Sequence, residues 1–237
     1  MSPVGTVITI VILVLFFMLL RYWFIDTHTL QDIQDATISS TISHTALATT
    51  GTAVPSNNFA YSVWFYVNDW NYRYGEEKII FSRTDVSGIY THHCPSVVLD
   101  EYENKITVKL SYLNSVNNYN YNYDSADISN IPIQKWVNLI ISVYNSTMDI
   151  YLDGKLVRTI LLSGVPYIKA DDDIVVTPDL GFSGWTSKLQ YFPNPLNPQE
   201  AWNIYTKGYS TWSNMFSAYH IQLSVLSNGT SQGSVTI

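Results

Sequence analysis

Hydrophobic and polar residues alternate along much of this chain with a period of two, the pattern of β-strands whose two faces meet different surroundings. Between Trp136 and Leu162, Val137, Leu139, Ile141 and Val143 share one face of a first run, and Met148, Ile150 and Leu152 share one face of a second. The polar stretch Asn145-Ser146-Thr147 joins them and predicts a hairpin. The second run stops at Asp153-Gly154, a pair whose tolerance of positive φ suits a tight turn, and a third run follows from Leu156 to Leu162. The sequence FAYSVWFYV at 59–67 predicts another strand, with Ala60, Ser62, Trp64 and Tyr66 on one face and Tyr61, Val63, Phe65 and Val67 on the other. Both faces are substantially apolar, which places that strand inside a two-layer structure. Shorter runs predict strands at Lys78–Arg83, Ser96–Leu99, Ile106–Leu113, Ile174–Val176 and Lys188–Phe192, with one more around Tyr219–Val225 and a closing stretch from Gly233 to Ile237. The expected fold is all-β, an antiparallel two-sheet sandwich or jelly roll.

Two segments break the period of two. From Val4 to Leu20 no residue is charged and the only polar side chain is threonine; with Arg21 and the cluster Tyr22-Trp23-Phe24 the segment reaches about 20 residues, or roughly 30 Å of helix. Arg21, Tyr22 and Trp23 form the flank expected where a transmembrane helix leaves the bilayer. A cleaved signal peptide is the rival reading, opposed by the lack of Lys or Arg before the apolar run and of a small-x-small cleavage site after it. The positive-inside tendency of Arg21 and the single cysteine, Cys94, both put the remainder on the cytosolic side. The second exception is Asn197-Pro198-Gln199-Glu200, an Asn cap, a first-turn proline and a Glu three residues after the cap, which predicts a helix over Pro198–Thr206 closed by Lys207-Gly208. Trp202, Ile204 and Tyr205 are expected to pack it on the sheet. The resulting division is an anchor at 1–25, a Ser/Thr-rich tether at 26–56 with a first strand near Thr37–Ala48, a sandwich at 57–208 and an extension at 209–237.

Composition narrows the partners. Tyr (18), Trp (7) and Phe (9) are abundant while charged residues make up only 13%, a balance that favours strands over helices. The net charge of −7 opposes the basic patch that phosphate contacts need, so nucleic acid is not an expected partner.

The order FAYSVWFYV, KIIFSR, WVNLIISVYNSTMDIYLDGKLV and GFSGWTSKLQYFPNPLNPQEAWNIYTKG resembles a laminin-G-like domain of the concanavalin A-like lectin/glucanase superfamily, over roughly Asn58 to Gly208. With the amino-terminal anchor, the stretch NDWNYRYGEEK at 68–78 and the tail after Gly208, the whole is similar to membrane-anchored virion proteins of large double-stranded DNA viruses. The resemblance implies a concanavalin A-like sandwich, a bilayer, and capsid or other virion proteins or carbohydrate as partners.

Candidate chemistry is sparse. Glucanases of the superfamily carry carboxylates alternating along one strand; the nearest approach here, Asp100-Glu101-Tyr102-Glu103, lacks the intervening Asp and runs into the turn-like Asn104-Lys105, so a solvated hairpin end is expected and no catalytic residue is assigned. His92-His93-Cys94 are consecutive, would point to alternating faces of a strand, and assign no metal site. Asp171-Asp172-Asp173 offers oxygens to calcium, which the resemblance allows, although a loop of three Asp is ordinarily just solvated. Two aromatic groups are the candidate glycan or protein contacts: Tyr119, Tyr121 and Tyr123 in NYNYNY, which a strand would align on one face, and Trp70, Tyr72 and Tyr74 in an expected loop. The expected function is a non-enzymatic, membrane-anchored structural protein of a virus particle, with a membrane-tethered lectin as the alternative and a glycosidase behind both.

Overall fold

A computed structural model describes residues 27–48, 57–84, 92–113, 121–210, 222–227 and 230–236, together with Ile12, Leu15 and Phe16. In chain order the elements are β1 (Thr29–Gln31), β2 (Gln34–Asp35), β3 (Ser40–Ile42), the one-turn helix α1 (Thr45–Ala48), β4 (Phe59–Asp69), β5 (Lys78–Thr84), β6 (Ser96–Leu99), β7 (Lys105–Leu113), β8 (Tyr121–Ser129), β9 (Trp136–Tyr144), β10 (Thr147–Leu152), β11 (Lys155–Leu161), β12 (Asp173–Val176), β13 (Ser183–Phe192), α2 (Pro198–Thr206), β14 (Gln222–Ser227) and β15 (Thr230–Thr236).

Two antiparallel sheets stack face to face. One runs β1-β13-β4-β9-β10-β11, with β2 continuing β1 along β13; the other runs β3-β12-β5-β6-β7-β8. Strands β14 and β15 pair with each other as a separate hairpin. The period-two pattern explains the layering. Tyr61, Val63, Phe65 and Val67 of β4, Val137, Leu139, Ile141 and Val143 of β9, and Met148 and Ile150 of β10 all fall on one face and meet Val97, Leu99, Ile106, Val108, Leu110, Ile174 and Val176 from the other sheet. Each such side chain, fully buried, contributes about 1.5–3 kcal/mol of transfer free energy.

The turns follow their residue chemistry. Asn145-Ser146 closes β9 on β10, with Asn145 at φ 52°. Asp153 and Gly154 both take positive φ, 50° and 73°, and close β10 on β11. Gly154 has a second reason: a Cβ there would lie 3.0 Å from both Trp202 and Tyr205 of α2, which packs over the turn. Helix α2 begins at the expected Asn197 with both halves of a capping box, the Asn197 side chain accepting from the Glu200 N–H and the Glu200 side chain accepting from the Asn197 N–H.

Three expectations change. Residues 29–35, expected within a tether, supply β1 and β2 to one sheet, while the first strand expected near Thr37–Ala48 is the shorter β3 of the other; their apolar positions are few because each is short and half-buried at a sheet edge. Strand β13 starts five residues before the expected Lys188. Its early part, Ser-Gly-Trp-Thr-Ser, looks loop-like in sequence, but Gly184 (φ 152°) is there because a Cβ would come 1.8 Å from the Tyr66 carbonyl oxygen as β13 crosses β4. The tail forms a hairpin, β14 and β15, rather than one strand and a closing stretch. Among the described residues no helix is long and apolar enough to cross a membrane. The expected anchor with Arg21, Tyr22 and Trp23 lies outside the described residues, apart from Ile12, Leu15 and Phe16, which are helical.

Candidate functional site: an aromatic row on the outer sheet face

Alternation in β4 sends Ser62, Trp64 and Tyr66 away from the core, onto the outer face of the sheet. Cross-strand register then aligns rings from three strands: Tyr66 stands directly opposite Trp185 of β13 and Trp136 of β9. The Trp185 and Tyr66 centroids are 5.5 Å apart and edge-on, and those of Tyr66 and Trp136 are 5.8 Å apart. Such spacings are typical of cross-strand aromatic pairs. The line continues through Tyr209, stacked on Trp136 at 4.4 Å and 9°, to Trp64, which Tyr205 of α2 covers at 5.6 Å and 16°.

Helix α2 decides which part of this line stays open. Ala201 and Ile204 pack on Ile140 and Tyr151, closing the outer face over β9 and β10. Beyond its end, the Ser187 hydroxyl donates to the Tyr209 carbonyl (2.6 Å) and the Lys188 ammonium donates to the Gly208 carbonyl (2.8 Å), pinning the chain to a bulge in β13. A cation at this helix end also meets the negative pole of the helix dipole. Trp64 ends up buried, Tyr66 and Trp136 half-buried, and Trp185 42% exposed. Polar groups border the row. Asp35 lies opposite Trp185, held below the usual carboxylate range by hydrogen bonds from the Thr37 N–H and hydroxyl, and Lys135, just before Trp136, pairs with Asp153 at 3.7 Å. Flat, half-open rings with hydrogen-bonding groups at their rim suit a partner with apolar faces and polar edges.

The sequence-predicted groups disperse. Trp70 packs on the core, with the buried Lys78 ammonium 5.5 Å from its ring centroid; burial and the nearby Arg73 lower the Lys78 pKa. Tyr72 donates to the Leu180 carbonyl, tying one loop to another, and only Tyr74 projects outward, edge-on to Tyr102. Period two fails here because these residues follow the end of β4 and enter a series of turns. Tyr119 lies outside the described residues and Tyr121 is described only in its backbone, opposite Leu113. Tyr123 is exposed, edge-on to His93 at 5.6 Å. Trp202, expected on the sheet, is exposed and leans on Tyr205.

The titratable clusters serve the fold. His92 Nε2 meets Asp172 Oδ2 at 2.6 Å with both side chains buried, and Arg83 donates to the backbone carbonyls of Asp172 (3.3 Å) and Lys169 (3.1 Å) and to the Tyr61 hydroxyl. Asp173 accepts instead from His44, so adjacent carboxylates face different partners. Cys94 is buried, its thiol pushed up to about 12 by desolvation, and it contacts the Tyr167 carbonyl. No group of three or more metal-ligating side chains occurs among the described residues. Glu101 and Glu103 sit in the turn between β6 and β7, with Glu103 3.8 Å from the Lys105 ammonium.

A family profile described as the concanavalin A-like lectin/glucanases superfamily matches residues 40–201, and the chain belongs to that superfamily. Its two-sheet sandwich is a lectin-type domain. Similar solved structures include the botulinum neurotoxin serotype D binding domain (17% identity, 63% of this chain and 36% of that one, TM-score 0.50). The serotype G binding domain matches at 17% identity over 70% of this chain and 40% of that one, with a TM-score of 0.51. The serotype D ligand-binding domain in complex with N-acetylneuraminic acid matches at 16% identity over 64% and 37%, with a TM-score of 0.52. This chain therefore spans about two-fifths of those chains or less, and at such identities the likeness is one of fold. No curated protein sequence matches the chain.

The row Trp185-Tyr66-Trp136 was missed in the sequence. The signal was present: Trp64 and Tyr66 on the second face of FAYSVWFYV, a Trp opening β9 and a Trp in the Ser-Gly-Trp-Thr stretch. Only the strand order β13-β4-β9 brings the three together.

Proposed function

We propose that the protein is a non-catalytic contact module, held at a membrane by its amino-terminal segment, which joins that membrane to neighbouring proteins in the particle of a large double-stranded DNA virus. The observation that carries this reading is the half-open row Trp185-Tyr66-Trp136, a prepared surface with no catalytic set beside it among the described residues. The position of the incoming chain supports it. His28 packs on Phe192 at 4.5 Å and β1 runs alongside β13 from that end, whereas Trp185 lies seven residues away, roughly 20 Å along the strand. The described chain thus enters the sheet at the end opposite the aromatic row. Purified particles should retain the protein through high-salt washing and release it with detergent; its recovery only from cell debris rejects the reading.

A second reading, a membrane-tethered glycan-binding lectin, is favoured by the same rings and their polar rim, since pyranose rings stack on indole and phenol faces. One similar solved domain is a complex with N-acetylneuraminic acid. The soluble fragment for a glycan array must start at residue 27, because a fragment from Asn57 loses β1, β2 and β3. Binding that Trp136→Ala abolishes selects the lectin; no binding leaves the protein-contact reading.

A further inference from the structure

Beneath the end of helix α2, the outer sheet face holds two hydrogen-bonding groups that the protein itself does not use. Trp64 and Asn138 stand directly opposite each other across β4 and β9, two residues along each strand from the pair Tyr66 and Trp136. Trp64 is 5% exposed and Asn138 0%. The Asn138 side-chain amide donates to the Ser62 hydroxyl (3.1 Å) and the Val63 carbonyl (3.4 Å). A carbonyl only accepts, which fixes the amide nitrogen on that side and leaves Asn138 Oδ1 without a donor. Trp64 Nε1 has no acceptor. Buried polar atoms are nearly always paired, so an open donor and an open acceptor on facing residues call for a group that both accepts and donates. A hydroxyl does both.

The chain's own tyrosines cover this place. Tyr205 lies flat on Trp64 (5.6 Å, 16°), and Tyr209 lies flat on Trp136 (4.4 Å, 9°) while standing edge-on to Trp64 at 6.2 Å. Tyr209 therefore takes the indole face that a stacking ligand needs. Its backbone is pinned through its carbonyl by Ser187, whereas its ring makes its contacts by stacking, so the ring can swing aside about its side-chain bonds while helix and sheet stay in place.

We propose that the aromatic row continues under Tyr209 as a covered sugar subsite. With the Tyr209 ring displaced, a pyranose stacks on Trp136, and one of its hydroxyls accepts from the Trp64 indole N–H and donates to Asn138 Oδ1. The proposal rests on the lectin reading of the row and adds to it a second position and a cover. A pyranose carries hydroxyls beside its stacking face, where these two groups lie, whereas a partner's tyrosine would carry its hydroxyl at the far tip of the ring. Tyr209 competes with the sugar for one indole face and so weakens binding in the resting protein.

The test is binding of the full-length chain, kept in a detergent without a sugar headgroup, to an array of neutral and N-acetylneuraminic acid-terminated oligosaccharides. Tyr209→Ala should tighten binding about threefold to tenfold, the worth of one stacked ring pair. Adding Trp64→Phe, which removes the N–H and keeps a ring, should weaken it again by about fivefold. Binding that Trp136→Ala abolishes but Tyr209→Ala leaves unchanged or weakens overturns the proposal and leaves the lectin reading standing. Binding that tightens in Tyr209→Ala yet ignores Trp64→Phe overturns the hydroxyl contact, since a water alone then satisfies the two groups. No binding by the wild type or by Tyr209→Ala removes the proposal and the lectin reading together. Should Trp64→Phe unfold, monodeoxy methyl pyranosides carry the same test on Tyr209→Ala: one of them should bind about fivefold more weakly than its parent, and equal affinities overturn the contact.

Discussion

Alternate residues of β4 meet opposite surroundings. Tyr61, Val63, Phe65 and Val67 face a complete second sheet and are buried, while Ser62, Trp64 and Tyr66 face a single short helix that covers only part of their side. Hydrophobicity alone does not separate the two sets, because both contain large rings. What separates them is the area of the covering element: six strands on one side, nine helical residues on the other. Rings left over where α2 ends become a surface available to a partner, and the inner rings become stability.

The largest expected difference follows directly. Phe65→Ala should destabilise the domain by about 3–5 kcal/mol, the usual range for emptying a large buried aromatic site. Its immediate neighbour Tyr66→Ala should cost about 1–2 kcal/mol, the sum of two aromatic pairs and limited burial. Urea denaturation of both variants measures the contrast, and equal losses would mean that the outer face is as much a core as the inner one.

A similar split divides two adjacent carboxylates. Asp172 is buried against His92, so Asp172→Ala leaves an uncompensated buried group and should cost about 3–5 kcal/mol. Asp173 pairs with His44 in a half-open setting, and Asp173→Ala should cost about 1 kcal/mol or less. Were the two losses alike, the buried pair would hold the loop before β12 no better than a surface pair does.

These contrasts bear on what the sequence could reveal. Strands β6, β9 and β10 and helix α2 were legible nearly to the residue, because period-two runs, Asp-Gly and Asn-Pro-x-Glu are local signals. The inner face of β4 was legible too. Its outer row was not, since Trp136, Tyr66 and Trp185 are neighbours only through β13-β4-β9 pairing, with no fixed spacing along the chain. The Asp run shows the converse limit: three identical neighbours suggested one shared role, yet Asp172 and Asp173 point to different histidines.

Protonation gives a smaller test at the same end of the structure. Burial, with Lys109 and His92 nearby, holds His93 down at about 4, below its ordinary value near 6.5. The unfolded chain then binds the proton more readily than the folded one across that interval, so this group's contribution is intact above about 6.5 and is lost as pH falls toward 4. Thermal midpoints should decline over that window and His93→Gln should flatten the decline; an unchanged slope would remove His93 as its source.

The smallest effect on folding should accompany the largest effect on contact. Trp185 is held by one edge-on ring and is 42% exposed, so Trp185→Ala should cost only about 0.5–1.5 kcal/mol of stability. A surface aromatic that contributes so little to the fold can be removed without unfolding the domain, which makes it the cleanest probe of the proposed contact. Under the proposed particle role, the yield of neighbouring protein crosslinked to each variant, measured for Trp185→Ala and Phe65→Ala at a temperature where both are folded, separates the two roles. If Trp185→Ala loses the crosslinked neighbour while Phe65→Ala keeps it, the outer row makes the contact; if both keep it, the contact runs through another surface and the two faces of β4 differ in burial alone.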